Sequence, residues 1–539
     1  MSATTSSLEP LFTILSYSYA TLETNFYKLP GSSVVARYVK SSHQNDPGRT
    51  LLEVFLIIFA IRTLLQSRTR ADNSGKHFIS FDEKEIDELV DEWTPEPLAA
   101  ELSPKEQAEL ASIPVIVGPT GPKPKLSNGK TVLNLASYNF TGLAGNEDIK
   151  QSGVETLRKY GLGSCGPPGF YGNQDVHIQL EKDIADFLGT ESAILYSQAF
   201  STISSVIPAF CKRGDLIVAD RGVNFSIQKG LQISRCTVRW YDHNDLNSLE
   251  QVLEAIEKER QKKRSPLTRR FIVTEGIFDH DGAMSDLPKL LKFKYRLILD
   301  ESISFGSVGR TGRGLTELYN VPADQVDMLV GSVANGLASA GGFCAGTNIV
   351  VNHQRINGTS FVFSAAMPAL LTVAASEGIS ILRNTPSILS TLQENIRAVR
   401  VILDRVDCIS IPSHPASATI HLHVKLPSPM HLSPRVPPPS PSLSSSSSGK
   451  PSNPLSPTPR EAPQFDAELE EKLLQDVVEE ALAQGVLITR AKRLRGQELN
   501  DIRPSIRLAI SAALNKKDCE KAANVVKAAF VKIVGRQRR

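Results

Sequence analysis

Short apolar runs bounded by turn residues recur through the central part of the chain. Leu297–Leu299 and Met328–Val330 are two such runs, and Ala193–Phe200 and Phe271–Gly276 are two more. Their length and flanks predict buried strands of a parallel sheet in an α/β protein. Asp300 follows the first run directly, so we expect it at the carboxyl end of a strand. Open α/β sheets bind their ligands at that edge.

The C-terminal part of the chain shows mixed periodicities. Phe465–Ala483 and Lys517–Val534 have the apolar spacing of helices, as does Asn173–Gly189 earlier in the chain. Ala416–Leu426 alternates apolar and polar residues, which predicts a half-exposed strand, and Ser505–Ala512 predicts another strand. These patterns predict a smaller α+β domain after the large one.

One strongly apolar helix is predicted near the N-terminus, at Leu51–Leu65. Its length is about 22 Å, less than the roughly 30 Å hydrocarbon core of a bilayer. Val54–Ile61 is apolar on every face, which favours a membrane anchor over the alternative, a buried helix of a soluble protein. Lys and Arg residues are balanced on the two sides, so charge does not fix an orientation.

Composition changes divide the rest of the chain into segments. We expect an N-terminal segment with the anchor at residues 1–80, a polar connecting arm at 81–130, a large domain at 131–385 and a small domain at 386–539. Residues 427–463 of the small domain are rich in Pro and Ser with almost no large apolar side chains. Such a segment cannot offset its ordering entropy, so we expect it to be disordered.

Charge and cysteine content exclude several function classes. The net charge is +3 without a dominant basic block, which argues against nucleic acid as a partner. Six scattered cysteines without a C-x-x-C pair favour reduced thiols facing the cytosol. His280 lies between two aspartates but has no second ligand at helical or C-x-x-C spacing, so we expect a loop and no metal site.

Two motifs surround the strands that end near Asp300. DESISFGSVGRTGRG begins at Asp300, and GSVANGLASAGG begins at Gly331. They resemble the motifs of the α-oxoamine synthases, enzymes that depend on pyridoxal 5'-phosphate (PLP). In that family an Asp holds the cofactor's ring nitrogen protonated, a His lies beside the ring oxygen, and a Lys carries PLP as a Schiff base. The resemblance implies a type I PLP-transferase fold with a mainly parallel sheet, and it makes Asp300 a remnant of the cofactor site.

The resemblance also implies that three positions, which contact the cofactor in that family, have changed here. The family's second-motif Lys is Asn335 here, its His in the first motif is Ile303, and its ring-stacking His is Asn224. An amide cannot form an imine with an aldehyde, and no lysine occurs between Lys294 and Lys425. We therefore expect no catalytic residue in this chain.

A glycine-rich loop at Tyr160–Gly172 resembles one branch of this family in particular. Its GSCGPPGFYG is similar to the non-catalytic subunits of serine palmitoyltransferase, a heterodimeric branch of the family. The family's F-S-x-x-x-P-P segment, which reaches toward the neighbouring subunit, corresponds to the segment around Ser364. Arg507 falls where the family binds a substrate carboxylate, and a structural ion pair is the alternative there. The resemblance implies that this chain meets its partner's active site through Cys165, Gly166, Phe170, Tyr171, Ser364 and Ala365.

The function implied is support of the decarboxylative condensation of L-serine with palmitoyl-CoA to 3-ketodihydrosphingosine. PLP would be bound by a paralogous, lysine-bearing partner rather than covalently by this chain. The expected location is the endoplasmic reticulum membrane with the globular body in the cytosol, and small membrane regulatory subunits are further candidate partners. Two alternatives stay open: a self-sufficient PLP acyltransferase that uses another lysine, and a non-enzymatic scaffold or regulator with the same fold.

Overall fold

The computed structural model describes most of the chain. The described residues are 24–28, 30–65, 81–94, 98–99, 101–263, 268–425, 466–492, 494, 497–499 and 502–535. The segment 427–463, for which we predict disorder, lies outside them. Contacts divide the chain into two units, residues 1–111 and residues 112–539.

Helices make up most of the described part of the first unit. Its helices are α1 (Ser32–Asn45), α2 (Pro47–Leu65), α3 (Glu83–Glu92) and α4 (Pro104–Ser112), the last of which ends in the second unit. The predicted apolar helix is confirmed as the larger part of α2, and its apolar side chains are exposed, as at Phe55 and Phe59. Over the described residues, no helix combines the length and the apolar character needed to cross a membrane.

The second unit contains three groups of strands. They are β1 (Ile116–Val117), β2 (Lys125–Leu126) and β3 (Leu133–Asn134); β4 (Ser192–Tyr196), β5 (Leu216–Asp220), β6 (Thr237–Tyr241), β7 (Arg270–Glu275), β8 (Arg296–Asp300), β9 (Met328–Ser332) and β10 (Gly342–Gly346); and β11 (Ile409–Ser410), β12 (Thr419–Val424), β13 (Val486–Leu487), β14 (Thr489–Arg490) and β15 (Ile506–Ala509).

Helices connect and cover these strands. They are α5 (Glu147–Tyr160), α6 (Asp175–Leu188), α7 (Ala199–Phe210), α8 (Phe225–Ser234), α9 (Leu246–Lys263), α10 (Leu287–Leu290), α11 (Leu315–Leu318), α12 (Ala334–Leu337), α13 (Asn348–Asn357), α14 (Thr359–Phe363), α15 (Ala369–Asn384), α16 (Ser387–Leu403), α17 (Ala467–Ala483) and α18 (Lys516–Val534).

The large sheet has the strand order β4-β10-β9-β8-β7-β5-β6. Neighbours from β9 to β6 pair in parallel, and β10 runs antiparallel to both β9 and β4. The predicted mainly parallel sheet is confirmed. Alternate residues of β7 enter two separate cores, Ile272 on one face and Phe271 and Val273 on the other. Both faces are therefore covered, which explains why these strands are apolar runs rather than alternating patterns.

The second sheet, in the order β11-β12-β15-β14, is antiparallel and belongs to the C-terminal part. The prediction of a half-exposed strand at Ala416–Leu426 was wrong, because all residues of β12 are buried. Its polar side chains face other protein groups rather than water: His421 Nδ1 lies 2.9 Å from Ser505 Oγ, and His423 Nδ1 lies 2.9 Å from the carbonyl of Pro504.

Candidate functional site

The carboxyl edge of the large sheet collects the residues that the motifs singled out. Asp300 ends β8, and Glu275 ends the neighbouring β7 in register with it. Asn224 caps the N-terminus of α8 after β5, and Asn335 lies in α12 after β9. The fold therefore brings together Asp300 and two of the three changed positions, as expected for a ligand site of this architecture.

Asp300 is 2% exposed, and both its oxygen atoms accept hydrogen bonds from this chain. The backbone N–H of Ser302 donates to Oδ1 at 2.9 Å, and the side-chain amide of Asn224 donates to Oδ2 at 3.1 Å. Burial raises the pKa of Asp300 above its usual value, and these hydrogen bonds oppose the shift. Each oxygen of this buried carboxylate thus has a hydrogen-bond donor from within the chain.

Glu275 is a second buried carboxyl group that the sequence reasoning missed. It accepts hydrogen bonds from the backbone N–H groups of Asn224 at 2.6 Å and of Asp279 at 3.1 Å. Burial, and then the neighbouring charge of Asp300, raise the pKa of Glu275 well above its usual range. The rule that identified Asp300, a carboxylate at the end of a buried strand, applies equally to FIVTEG and could have found it.

Asn224 is fixed by several hydrogen bonds at once. Its Oδ1 accepts from the backbone N–H of Ile227 at 3.0 Å and from the Ser226 hydroxyl at 2.6 Å, while its Nδ2 donates to Asp300. An Asn whose oxygen caps a helix and whose amide binds a buried carboxylate is a structural element. Asn224 therefore ties α8 to β8.

Neither the amide of Asn335 nor the alkyl side chain of Ile303 can form an imine with PLP. The side-chain amide of Asn335 donates to the carbonyl of Ser302 at 2.9 Å. Ile303 is 5% exposed and belongs to the larger apolar core. The side chains gathered here include carboxamides and no amine, and the carboxylate of Asp300 accepts a hydrogen bond from the Asn224 amide. The residues present do not fit a covalently held cofactor.

Arg507 lies at the contact between the two sheets. Its guanidinium donates to the Tyr138 hydroxyl at 3.0 Å and lies 4.3 Å from the centre of that ring, and Tyr138 in turn donates to Asp279 at 2.8 Å. The predicted alternatives were a substrate carboxylate and a structural ion pair. The structure places Tyr138 between the arginine and the carboxylate of Asp279. Tyr138 was not singled out from the sequence, and Asp279 was noted only as a neighbour of His280.

The glycine-rich loop presents two aromatic side chains to solvent. Phe170 is 63% exposed and Tyr171 is fully exposed. Cys165 is also exposed, and both Cys165 and Tyr171 have positive φ angles of 54° and 65°. Residues other than glycine rarely adopt this conformation, which costs roughly 1–2 kcal/mol. The loop therefore holds strained backbone under an exposed apolar surface.

The other predicted interface segment packs against this loop. The backbone N–H of Ala366 donates to the carbonyl of Gly166 at 2.9 Å. The hydroxyl groups of Ser364 and Ser197 lie 3.2 Å apart, and Ala365 is exposed. β4 runs in the same direction as β8, so Ser197, just after β4, lies at the same sheet edge as Asp300.

One further aromatic residue of this surface was missed. Phe363, directly before Ser364, is 81% exposed. With Phe170 and Tyr171 it gives the surface three exposed aromatic rings, the residue class that is enriched at protein interfaces. Its position beside the recognised segment was the available signal.

Comparisons with known proteins agree with this architecture. The chain matches the family described as aminotransferase class I and II over residues 130–526. It is 36% identical to serine palmitoyltransferase 1 of Saccharomyces cerevisiae, with 96% of this chain and 95% of that protein covered. It is 39% identical to serine palmitoyltransferase 1 of Dictyostelium discoideum, with 82% and 86% covered.

A solved structure shares the fold at lower identity. A serine palmitoyltransferase variant from S. paucimobilis, solved with PLP and myriocin bound, superimposes with a TM-score of 0.64 at 19% identity. The alignment covers 84% of this chain and all of that one. This likeness shows the fold of a PLP-dependent enzyme.

Proposed function

Because this chain belongs to the aminotransferase class I and II family, and within it to the serine palmitoyltransferase 1 proteins, we propose that it is the subunit of that enzyme which does not carry PLP covalently. It functions as a serine palmitoyltransferase subunit in sphingolipid biosynthesis. The catalytic lysine and the bound cofactor are assigned to a paralogous partner chain.

The observation that carries the proposal is the carboxamide of Asn335 and its hydrogen bond. Its amide is bonded to the carbonyl of Ser302 in the place where the resemblance puts the Schiff-base lysine. This is accompanied by a buried Ile303 and by an Asn224 whose side-chain amide donates a hydrogen bond to Asp300. Three altered positions in one frame support loss of the cofactor chemistry rather than variation at a single residue.

In the reaction of the complex, a carbon–carbon bond forms between serine and the palmitoyl carbonyl, while the serine carboxylate leaves as carbon dioxide and coenzyme A leaves as the thiol. PLP supplies the stabilisation of negative charge on the amino-acid carbon when it is bound by the partner. This chain contributes an interface. The glycine-rich loop and the Ser364 segment form one surface at the carboxyl edge of the sheet, and we assign that surface to the partner's active site.

We also propose that α2 attaches the complex to the endoplasmic reticulum membrane, with the globular body in the cytosol. Its support is the row of exposed apolar side chains, among them Leu51, Phe55, Phe59 and Leu65. An anchored enzyme suits an acyl-CoA substrate, whose tail partitions into lipid. Small membrane regulatory subunits would reach the complex through the same surface.

Reconstitution tests the proposed function. The full-length chain and its lysine-bearing partner are purified separately and together, and serine-dependent condensation of palmitoyl-CoA is measured. We expect activity only in the sample with both chains. Condensation by this chain alone would establish a self-sufficient enzyme, and full activity of the partner alone would leave this chain as a scaffold; either result contradicts the proposal.

A further inference from the structure

Two histidines and an aspartate converge beyond the ends of three neighbouring strands of the large sheet. His243 follows β6, and His280 and Asp281 follow β7, while Asp220 ends β5 between them. Along the chain, His280 has no second ligand at helical or C-x-x-C spacing. The parallel topology supplies one from a distant segment, because the carboxyl ends of adjacent strands meet at one edge.

The three side chains lie close enough together to share one metal ion. One ligand atom from each of His243, His280 and Asp281 lies within 4.8 Å of the other two. Both Nε2 atoms point to the same carboxylate oxygen, Asp281 Oδ2, at 3.0 Å from His243 and 3.6 Å from His280. Zn²⁺ binds His nitrogen at about 2.0–2.1 Å, so side-chain rotation can bring the three ligand atoms onto one ion.

The outer contacts hold the ligands in position. Asp220 is fully buried and lies 2.8 Å from Nδ1 of His243, the carboxylate–histidine arrangement that orients a metal-ligating imidazole. Asp281 is oriented by the N–H of Ala283, which donates to its Oδ1 at 2.8 Å. At Gly222, a Cβ atom would lie 2.3 Å from His243 and 2.4 Å from His280, so only glycine leaves room for both rings.

The carboxylates of Asp220 and Asp281 flank the His243 ring in a mostly buried place, an arrangement that favours a bound cation. We propose that His243, His280 and Asp281 bind one Zn²⁺ ion, with Asp220 as the positioning residue for His243. A nitrogen-containing ligand set of this kind favours zinc over magnesium.

The site also connects the two sheets of the second unit. The Ser413 hydroxyl donates to the backbone carbonyl of Asp281 at 2.5 Å, and the N–H of His414 donates to the carbonyl of Gly282 at 2.9 Å. The proposed ion therefore fixes the loop against which the small domain packs. This role is independent of the condensation reaction and of which chain carries PLP.

A metal-binding assay tests the proposal. The purified full-length chain is stripped with EDTA, desalted and titrated with Zn²⁺ in competition with a chromophoric chelator. We expect one tight equivalent per chain, unaffected by excess Mg²⁺. His280→Asn should lose it, and Asp220→Asn should weaken it by about 10–100-fold, because the outer carboxylate orients the ligand. His353→Asn and Cys236→Ser, which alter a histidine and a thiol outside the cluster, should keep the full equivalent.

The absorption spectrum of bound Co²⁺ is a second test, and it needs no variant. Co²⁺ in the stripped wild-type chain should give weak visible bands without the intense near-ultraviolet band of a thiolate ligand, so a folding defect of His280→Asn would leave this test intact. No tight equivalent, an equal equivalent in folded His280→Asn, or a cobalt–thiolate band would each overturn the proposal. The first of these outcomes would leave the cluster as an ion-pair network only.

Discussion

Gly172→Ala is expected to lower condensation by the two-chain complex by about 100-fold, the order of loss that follows a misplacement of about 1 Å at an active site. A Cβ atom at this position would lie 2.1 Å from the carbonyl oxygen of Gly166 and 2.5 Å from that of Pro167. Both are backbone atoms, so the loop itself must shift. The shift would displace Phe170 and Tyr171 from the surface assigned to the partner. Activity of the reconstituted complex at saturating substrate measures the effect.

Gly169→Ala is the matched control in the same loop. Nothing lies within 4 Å of a Cβ atom built at Gly169, and this residue does not have a positive φ angle. We expect near wild-type activity from this variant. Equal activity of the Gly172→Ala and Gly169→Ala complexes would show that the loop conformation does not matter to the partner's site.

Tyr171→Gly is expected to weaken assembly of the complex without lowering the stability of the isolated chain. The side chain is fully exposed and its φ angle is 65°, so glycine removes no buried contact and relieves backbone strain. After the larger chain entropy of unfolded glycine is counted, the isolated chain should be as stable as wild type or more stable by up to about 1 kcal/mol. Loss of an aromatic anchor should weaken the complex by about 2 kcal/mol, or roughly 30-fold in Kd.

The measurements are urea unfolding of the isolated chain and titration of the labelled partner. Arg235→Gly is the control, since Arg235 is exposed and has a φ angle of 56° at the C-terminal cap of α8. α8 runs away from the carboxyl edge of the sheet, so Arg235 lies at the opposite edge from the loop. The Arg235→Gly substitution should relieve similar backbone strain and leave the Kd for the partner unchanged. A Tyr171→Gly complex of wild-type affinity would remove this residue from the interface.

The sequence was sufficient to predict the frame of the site. Apolar runs predicted β8 and β9 because strands covered on both faces have no polar alternation, and Asp300 was placed correctly at the end of β8. The same logic failed at β12, where alternation suggested one exposed face. The polar face of that strand packs against protein groups, and such tertiary contacts have no local signal in the sequence.

Distant partners limited the prediction of the site itself. The pairing of Asn224 with Asp300, and of Arg507 with Tyr138, joins residues 76 and 369 positions apart. His243 and His280 meet for the same reason, since strand order rather than spacing brings them together. Residue type could identify Asn335 as unable to form an imine, but only the structure shows that its amide is bonded to Ser302.

The most direct test of the central claim identifies the chain that carries the cofactor. The reconstituted complex is loaded with PLP, reduced with borohydride, and separated into its chains for peptide mass spectrometry. We predict a pyridoxyl adduct on a lysine of the partner and none on this chain, because a carboxamide occupies position 335. A pyridoxyl adduct on any lysine of this chain, formed in proportion to activity, would contradict the account.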